Sequence, residues 1–294
     1  MLPPELAKQI RLLEIRTNRV VDEITGGAYR SAFKGRGIEF EEVREYTSED
    51  DVRDIDWNVS ARMGSPYIKK YVEERELTVL LMVDVSASGA FGSAEKNKRR
   101  TAAELAALLA FSAGRSGDKV GLLMFSDRIE LYVPPRSGRS HTLRMIREIL
   151  AFEPRSGGTD IDLALRESGR ILKKRSVVFL LSDLIADNFE SSLKILNRRH
   201  DVVAIRITDP VERSWPSGLP VVVEDAESGE PVRFAGGHRN REELDRALES
   251  AYGERGALCR RAGVDVIELE TGEEVLRPVI EFFGRRRIRR SNGR

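Results

Sequence analysis

Seven residues from Leu77 to Val83 are apolar but for Thr78, and the run stops at Asp84. Without polar alternation, such a segment must offer both faces to a hydrophobic environment, as does a strand in the middle of a parallel sheet. Similar runs recur at Lys119 to Phe125 and Ser176 to Leu181, and Val202 to Ile207 and Val264 to Leu269 read as further strands. Helical periodicity fills the gaps: Lys96 to Arg115, Arg139 to Phe152, Ile161 to Leu172, Phe189 to Arg199 and a long stretch from Arg239 to Ala262. Parallel strands need crossover helices, and right-handed crossovers place them on both faces. The expected fold is therefore α/β, a doubly wound, mostly parallel and Rossmann-like sheet of about five or six strands flanked by helices, with ligands at the strands' carboxyl ends.

Residues 77–284 are assigned to this main domain. Arg128 to Val133 reads as a short edge strand, Leu219 to Glu224 with Pro231 to Phe234 as an inserted hairpin within about 210–236, and Glu273 to Phe283 as a last short helix. Residues 1–76 read as a small α+β segment packed on the main domain: an amphipathic helix carrying Leu6, Ile10, Leu13 and Ile24, then a Gly-rich turn and a strand near Ile38 to Phe40. Residues 285–294 form a basic tail.

The 49 basic and 48 acidic residues leave a net charge of +1, which argues against a whole-protein field tuned to nucleic acid or an anionic membrane. Cys259 is the sole cysteine, so neither an intramolecular disulfide nor a thiolate metal cluster can form. No run approaches the roughly 20 apolar residues of a membrane span and no signal-peptide core is evident, so the expected location is cytoplasmic.

Three polar clusters fall where the topology predicts a crevice. Asp84-Val85-Ser86-Ala87-Ser88 follows the first buried strand, Gly157-Gly158-Thr159-Asp160 precedes a helix, and Ser182-Asp183 follows the strand ending at Leu181. The hydroxyls of Ser86, Ser88 and Thr159 and the carboxylates of Asp84 and Asp183 are hard oxygen donors, suited to Mg2+, or to Mn2+ or Ca2+, rather than zinc. Two carboxylates among neutral hydroxyls leave a divalent ion incompletely neutralised, which favours an anionic group at its open position. The bland readings are that Asp84 caps the following loop and that Thr159 is the N-cap of the next helix.

This arrangement resembles the metal-ion-dependent adhesion site of von Willebrand factor A domains, whose pattern is Asp-x-Ser-x-Ser with a distant Thr and a distant Asp. The resemblance implies that Asp84, Ser86, Ser88, Thr159 and Asp183 hold an ion that grips an acidic side chain of a partner, with Asp160 in support. Upstream, Lys34-Gly35-Arg36-Gly37-Ile38-Glu39-Phe40, Arg44-Glu45-Tyr46, Asp50 to Trp57, Ala61-Arg62 and Glu73-Glu74-Arg75, together with Val133-Pro134-Pro135, resemble the MoxR-associated family, domain of unknown function fifty-eight, over about residues 20–210. That resemblance implies a MoxR-type AAA+ ATPase as partner and a chaperone-like part in assembly or maturation of client complexes. Gly89 stands where many relatives have Met, and Glu49 where many have Gly.

The expected activity is protein binding and not catalysis. A magnesium-dependent phosphohydrolase using Asp84 as nucleophile is the alternative, but Ser86 stands where a general acid would be wanted and no lysine motif is evident to balance a phosphate. A scaffold whose site holds no ion is the third reading. Gly157-Gly158-Thr159 is no phosphate loop, because no Gly-Lys-Ser or Gly-Lys-Thr follows. The acidic and aromatic block around Asp50 to Trp57 reads either as a recognition surface or, preferred, as a turn stapled by Arg53, Arg62 and neighbouring carboxylates with Trp57 buried. His141, His200 and His238 read as surface or loop residues, and the run from Arg285 to Arg290 as a solvated end without the aromatic residues of a single-strand binder.

Overall fold

The computed structural model describes residues 8, 10–12, 14, 32–33, 39–47, 50–72, 76–93, 96–155, 157–213, 221–224, 231–234 and 252–292. The chain divides into two units, one of residues 34–76 and one of residues 1–33 with 77–294. The smaller unit begins at Lys34 and ends at Glu76, whereas residues 1–33 group with the larger one. The reason lies in that segment. Phe33 is buried in the larger unit's core against the rings of Phe179 and Phe283, and Glu14 pairs with Arg139 of the same unit.

In the smaller unit β1 (Glu39–Glu45) pairs antiparallel with β2 (Tyr67–Val72), and helix α1 (Trp57–Met63) lies between them in sequence. Asp56 caps α1 by accepting from the Asn58 and Val59 amides, and Gly64, with φ of 81°, ends it in the left-handed region. The preceding turn is stapled by Arg44 and Asp50 at 2.6 Å, not by Arg53 and Arg62, and the Arg44 hydrogen bond holds the Asp50 carboxyl down at about 2. Trp57 is 67% exposed, contrary to expectation. A two-stranded sheet and a seven-residue helix offer too little surface to cover an indole.

The larger unit comprises β3 (Thr78–Asp84), α2 (Lys98–Arg115), β4 (Lys119–Phe125), β5 (Ile129–Arg136), α3 (Arg139–Ala151), α4 (Ile161–Ile171) and β6 (Val177–Ser182). It continues with α5 (Glu190–Arg199), β7 (Asp201–Thr208), α6 (Pro210–Arg213), the antiparallel pair β8 (Val221–Glu224) and β9 (Pro231–Phe234), α7 (residues 252–261), β10 (Asp265–Glu270) and α8 (Leu276–Asn292). The order across the main sheet is β10-β7-β6-β3-β4-β5, parallel throughout except that β5 runs antiparallel to β4.

Successive strand side chains point to opposite faces, so the apolar runs serve two cores at once. Val79, Leu81 and Val83 of β3 pack with α2, α3 and α8, whereas Leu80 and Met82 pack with α4, α5 and residues 259–264. Each buried Leu or Val contributes about 2 kcal/mol. Edge strand β5 extends through Pro134 and Pro135, longer than expected, because an edge tolerates residues without an amide donor. A Cβ on Gly121 would lie 2.9 Å from the Pro135 ring, which explains the glycine opposite it.

Two further expectations are corrected. Helix α8 continues through the basic run to Asn292 instead of stopping near Phe283. Arginine is a good helix former, and Arg286 binds Asp201 and Asp265 while lying 5.0 Å from the Phe33 ring centroid. His200, expected at the surface, is 2% exposed at the junction of α5 and β7; both ring nitrogens lack a hydrogen bond among the described residues, and burial holds its pKa below the ordinary value. His238 and most of the long helix expected from Arg239 lie outside the described residues.

Candidate metal centre

Strand β3 has β4 on one side and β6 on the other; the chain leaves β3 toward β4 and leaves β6 toward β7, in opposite directions. That makes the carboxyl ends of β3 and β6 the switch point where open α/β sheets form a crevice. Asp84 is the last residue of β3, and Asp183 directly follows β6. Ser86 and Ser88 follow Asp84 in the loop that leads to α2.

The geometry ties these groups together from both sides. One Asp84 carboxylate oxygen accepts the Ser86 amide at 3.0 Å, and the other accepts the Ser182 hydroxyl at 2.7 Å. Ser86 is fully buried, and its hydroxyl lies 3.1 Å from that of Ser88. The Ala87 amide donates to the Gly157 carbonyl at 3.1 Å, and the Asp160 amide donates to the Ser126 carbonyl at 2.9 Å. Thr159 therefore sits in a loop pinned on both sides of it, at the ends of β3 and β4. The cap of α4 is Asp160, whose carboxylate accepts from the Leu163 amide at 2.8 Å; it is turned into the helix and Thr159 does not cap it.

Asp183 is 5% exposed. Its Oδ1 accepts the Ile185 amide at 3.0 Å and its Oδ2 accepts from the Lys98 ammonium at 2.9 Å. The next residue, Leu184, is fully buried yet has φ of 61°. A branched side chain in the left-handed region costs about 1–2 kcal/mol, and such strain concentrates at functional sites. The Leu184 amide donates to the Ser182 hydroxyl at 3.0 Å, the same hydroxyl that donates to Asp84. The strained turn thus fixes both carboxylates.

Burial, and then the charge of Asp183, push the Asp84 carboxyl up to about 6; hydrogen bonds from Ser86 and Ser182 oppose the rise. Two acidic groups forced together beside facing hydroxyls form a donor set whose repulsion a hard divalent cation would relieve. The residues fit magnesium, manganese or calcium on that ground.

The sequence reading missed the groups that frame the crevice. Lys98, in the first turn of α2, is 3% exposed and bridges Asp183 and Glu212 of α6. Burial works against its ammonium, but the charges of Asp183 and Glu212 outweigh it and raise the pKa. Asp209, fully buried after β7, accepts from the Ser93 amide at 2.8 Å, the Ser93 hydroxyl, the Thr271 hydroxyl at 2.5 Å and the Val211 amide at 3.1 Å. Burial alone would raise this carboxyl; those donors hold it below the ordinary value. The Asp209 amide donates in turn to Glu212 at 3.0 Å. Gly92 is needed in this loop because a Cβ there would lie 2.6 Å from the Asn97 backbone. The Asn97 cap was the visible signal for the helix start, but no spacing rule pairs a lysine with an aspartate 85 positions away.

Comparison with known proteins places the sequence among relatives. An uncharacterized protein of Mycobacterium tuberculosis is 31% identical over 287 residues, covering 97% of this chain and 90% of that protein. Among solved structures, the conserved hypothetical protein BatB from Bacteroides thetaiotaomicron covers 71% of this chain and 98% of its own at 13% identity and a TM-score of 0.44. The SpRpn10 VWA domain covers 70% and 94% at 11% identity and a TM-score of 0.38. The family model described as "Protein of unknown function DUF58" matches residues 42–252, and the chain belongs to that family.

Proposed function

We propose that this chain is a metal-dependent protein-binding module, in which Asp84, Ser86, Ser88, Thr159 and Asp183 hold Mg2+, or Mn2+ or Ca2+, at the mouth of the sheet. The observation that carries the reading is the meeting of Asp84, Ser86 and Ser88 with Asp183 at the switch point, where two buried carboxylates repel each other. A bound cation would supply an electrophilic position for an acidic side chain of a partner. The chain's own part is positional: Ser182 and the Ser86 amide orient Asp84, the Leu184 turn orients Asp183, and the pinned loop presents Thr159. Binding, and not turnover, is the activity inferred.

The MoxR-associated resemblance points to a MoxR-type AAA+ ATPase or its client as that partner, with this chain as adaptor in assembly or maturation of client complexes. The reading has no membrane insertion and no specific nucleic acid, and it places the protein in the cytoplasm. No helix among the described residues is long and apolar enough to cross a membrane. Calorimetric titration with magnesium and manganese tests the site. Heat saturating near one ion per chain should vanish in Asp84→Ala combined with Thr159→Ala; equal heats in both proteins would refute the assignment. A pull-down with Asp84→Ala tests the partner, which is wrong if ATPase recovery withstands both the mutation and chelator.

One observation favours a second reading. Lys98 supplies the buried ammonium that a phosphohydrolase using Asp84 would require to balance a phosphate. Against it, that ammonium is already held by two carboxylates, and Ser86 cannot serve as the general acid. Phosphoester turnover abolished by Asp84→Asn would revive it.

A further inference from the structure

We propose that Lys98 is a built-in cation that weakens metal binding at this site, and that Glu212 moderates it. The inference rests on the metal-site reading above. Three observations place Lys98 in that role. It is nearly inaccessible, at 3% exposure, so water does little to screen its charge. It is fixed by structure: its amide donates to the Phe91 carbonyl at 3.1 Å, Asn97 caps the same turn, and the ammonium lies 6.0 Å from the Phe91 ring centroid. Finally, it contacts Asp183, the second carboxylate of the donor set, at 2.9 Å.

A charge in that position has two opposed effects. It neutralises Asp183 when no ion is present, which offsets the repulsion from Asp84. It also repels an incoming dication and competes for the same carboxylate oxygen. Glu212 is the one described acidic residue besides Asp183 that pairs with Lys98, and it is held by the Asp209 amide. Its negative charge cancels part of the Lys98 field. The site is therefore tuned so that the ion alone binds weakly and an arriving carboxylate, by adding negative charge, completes the neutralisation. Ion and acidic partner then bind cooperatively, with no moving part.

The two substitutions should act in opposite directions. Lys98→Met keeps the length and apolar stem but removes the charge, and should bind manganese at least about tenfold more tightly, since repulsion of a dication by a buried charge a few ångströms away exceeds that factor. Glu212→Gln leaves Lys98 less compensated and should bind manganese severalfold more weakly; its partly exposed position makes it safe for folding. Manganese affinity is read by calorimetry on the full chain, and unfolding temperature is measured in chelator and in saturating manganese. Lys98→Met should be less stable in chelator and gain more from the metal than wild type. If wild type binds manganese and Lys98→Met binds it equally or less well, the role of Lys98 is refuted while the metal site stands. An unchanged or higher affinity in Glu212→Gln refutes it even where Lys98→Met does not fold. Absence of manganese binding in wild type and both variants would overturn the metal site itself, and the proposal with it.

Discussion

Replacing Asp84 by Asn should make the metal-free protein more stable, although it alters a buried, fully hydrogen-bonded residue. The magnitude follows from the site. Holding the Asp84 carboxyl at about 6 instead of 3.8 corresponds to about 3 kcal/mol of destabilisation at neutral pH. Because the folded value lies above the unfolded one, the folded state keeps the proton between them. Stability from this group is greatest below about 4, falls as pH rises, and is fully lost above about 6. Asparagine removes the charge but retains an oxygen for the Ser86 amide; losing the Ser182 donation returns about 1 kcal/mol. A net gain of about 2 kcal/mol remains, or about 4 °C in Tm for a unit of this size. Thermal unfolding in chelator at pH 7.5 reads it directly, and the advantage should shrink to nothing near pH 4. With saturating magnesium the wild type should recover and the variant should not respond. An Asn variant that is less stable in chelator, yet gains as much from magnesium as wild type, would refute the claim that carboxylate repulsion is the feature a cation relieves.

Asp209→Asn should cost about 3 kcal/mol, since the amide nitrogen cannot accept from Ser93 or Thr271; denaturant unfolding measures it, and a loss under 1 kcal/mol would show that the buried acceptor is dispensable. Glu190, held down at about 2 by Arg261 and Lys194, contributes stability that is present above its ordinary value of 4.5 and lost as pH falls toward 2. Glu190→Gln should therefore be slightly less stable than wild type at pH 7, with the two melting temperatures converging at pH 2; a gap independent of pH would count against the ion pair.

The central strands β3, β4 and β6 were legible because burial on both faces leaves an apolar run, and helix-period segments lie between them; the order of the strands across the sheet was not. Asp84 and Asp183 were legible for a related reason: a charged residue at the end of a doubly buried strand has nowhere to go but the crevice. Lys98 was not, because in the sequence it is indistinguishable from Lys96 two residues earlier, which binds Glu104 in a more open setting. Only the sheet, by bringing β6 beside β3, selects one over the other. Leu184 gave no signal either, since left-handed backbone is expected at Gly or Asn and not at a buried leucine. Trp57 misled because aromatic residues are usually core; here the small unit has no depth to receive it.

The Asp209 cluster has a consequence for the order in which the protein is made. The loop carrying Ser86 and Ser88 is closed by an acceptor 116 residues later, and that acceptor is held by a hydroxyl 62 residues further on, just past the last strand. A ribosome delivers the chain from its N-terminus, so the central strands can pair while Thr271 is still unsynthesised. During that interval the crevice has its acidic residues but not its wall.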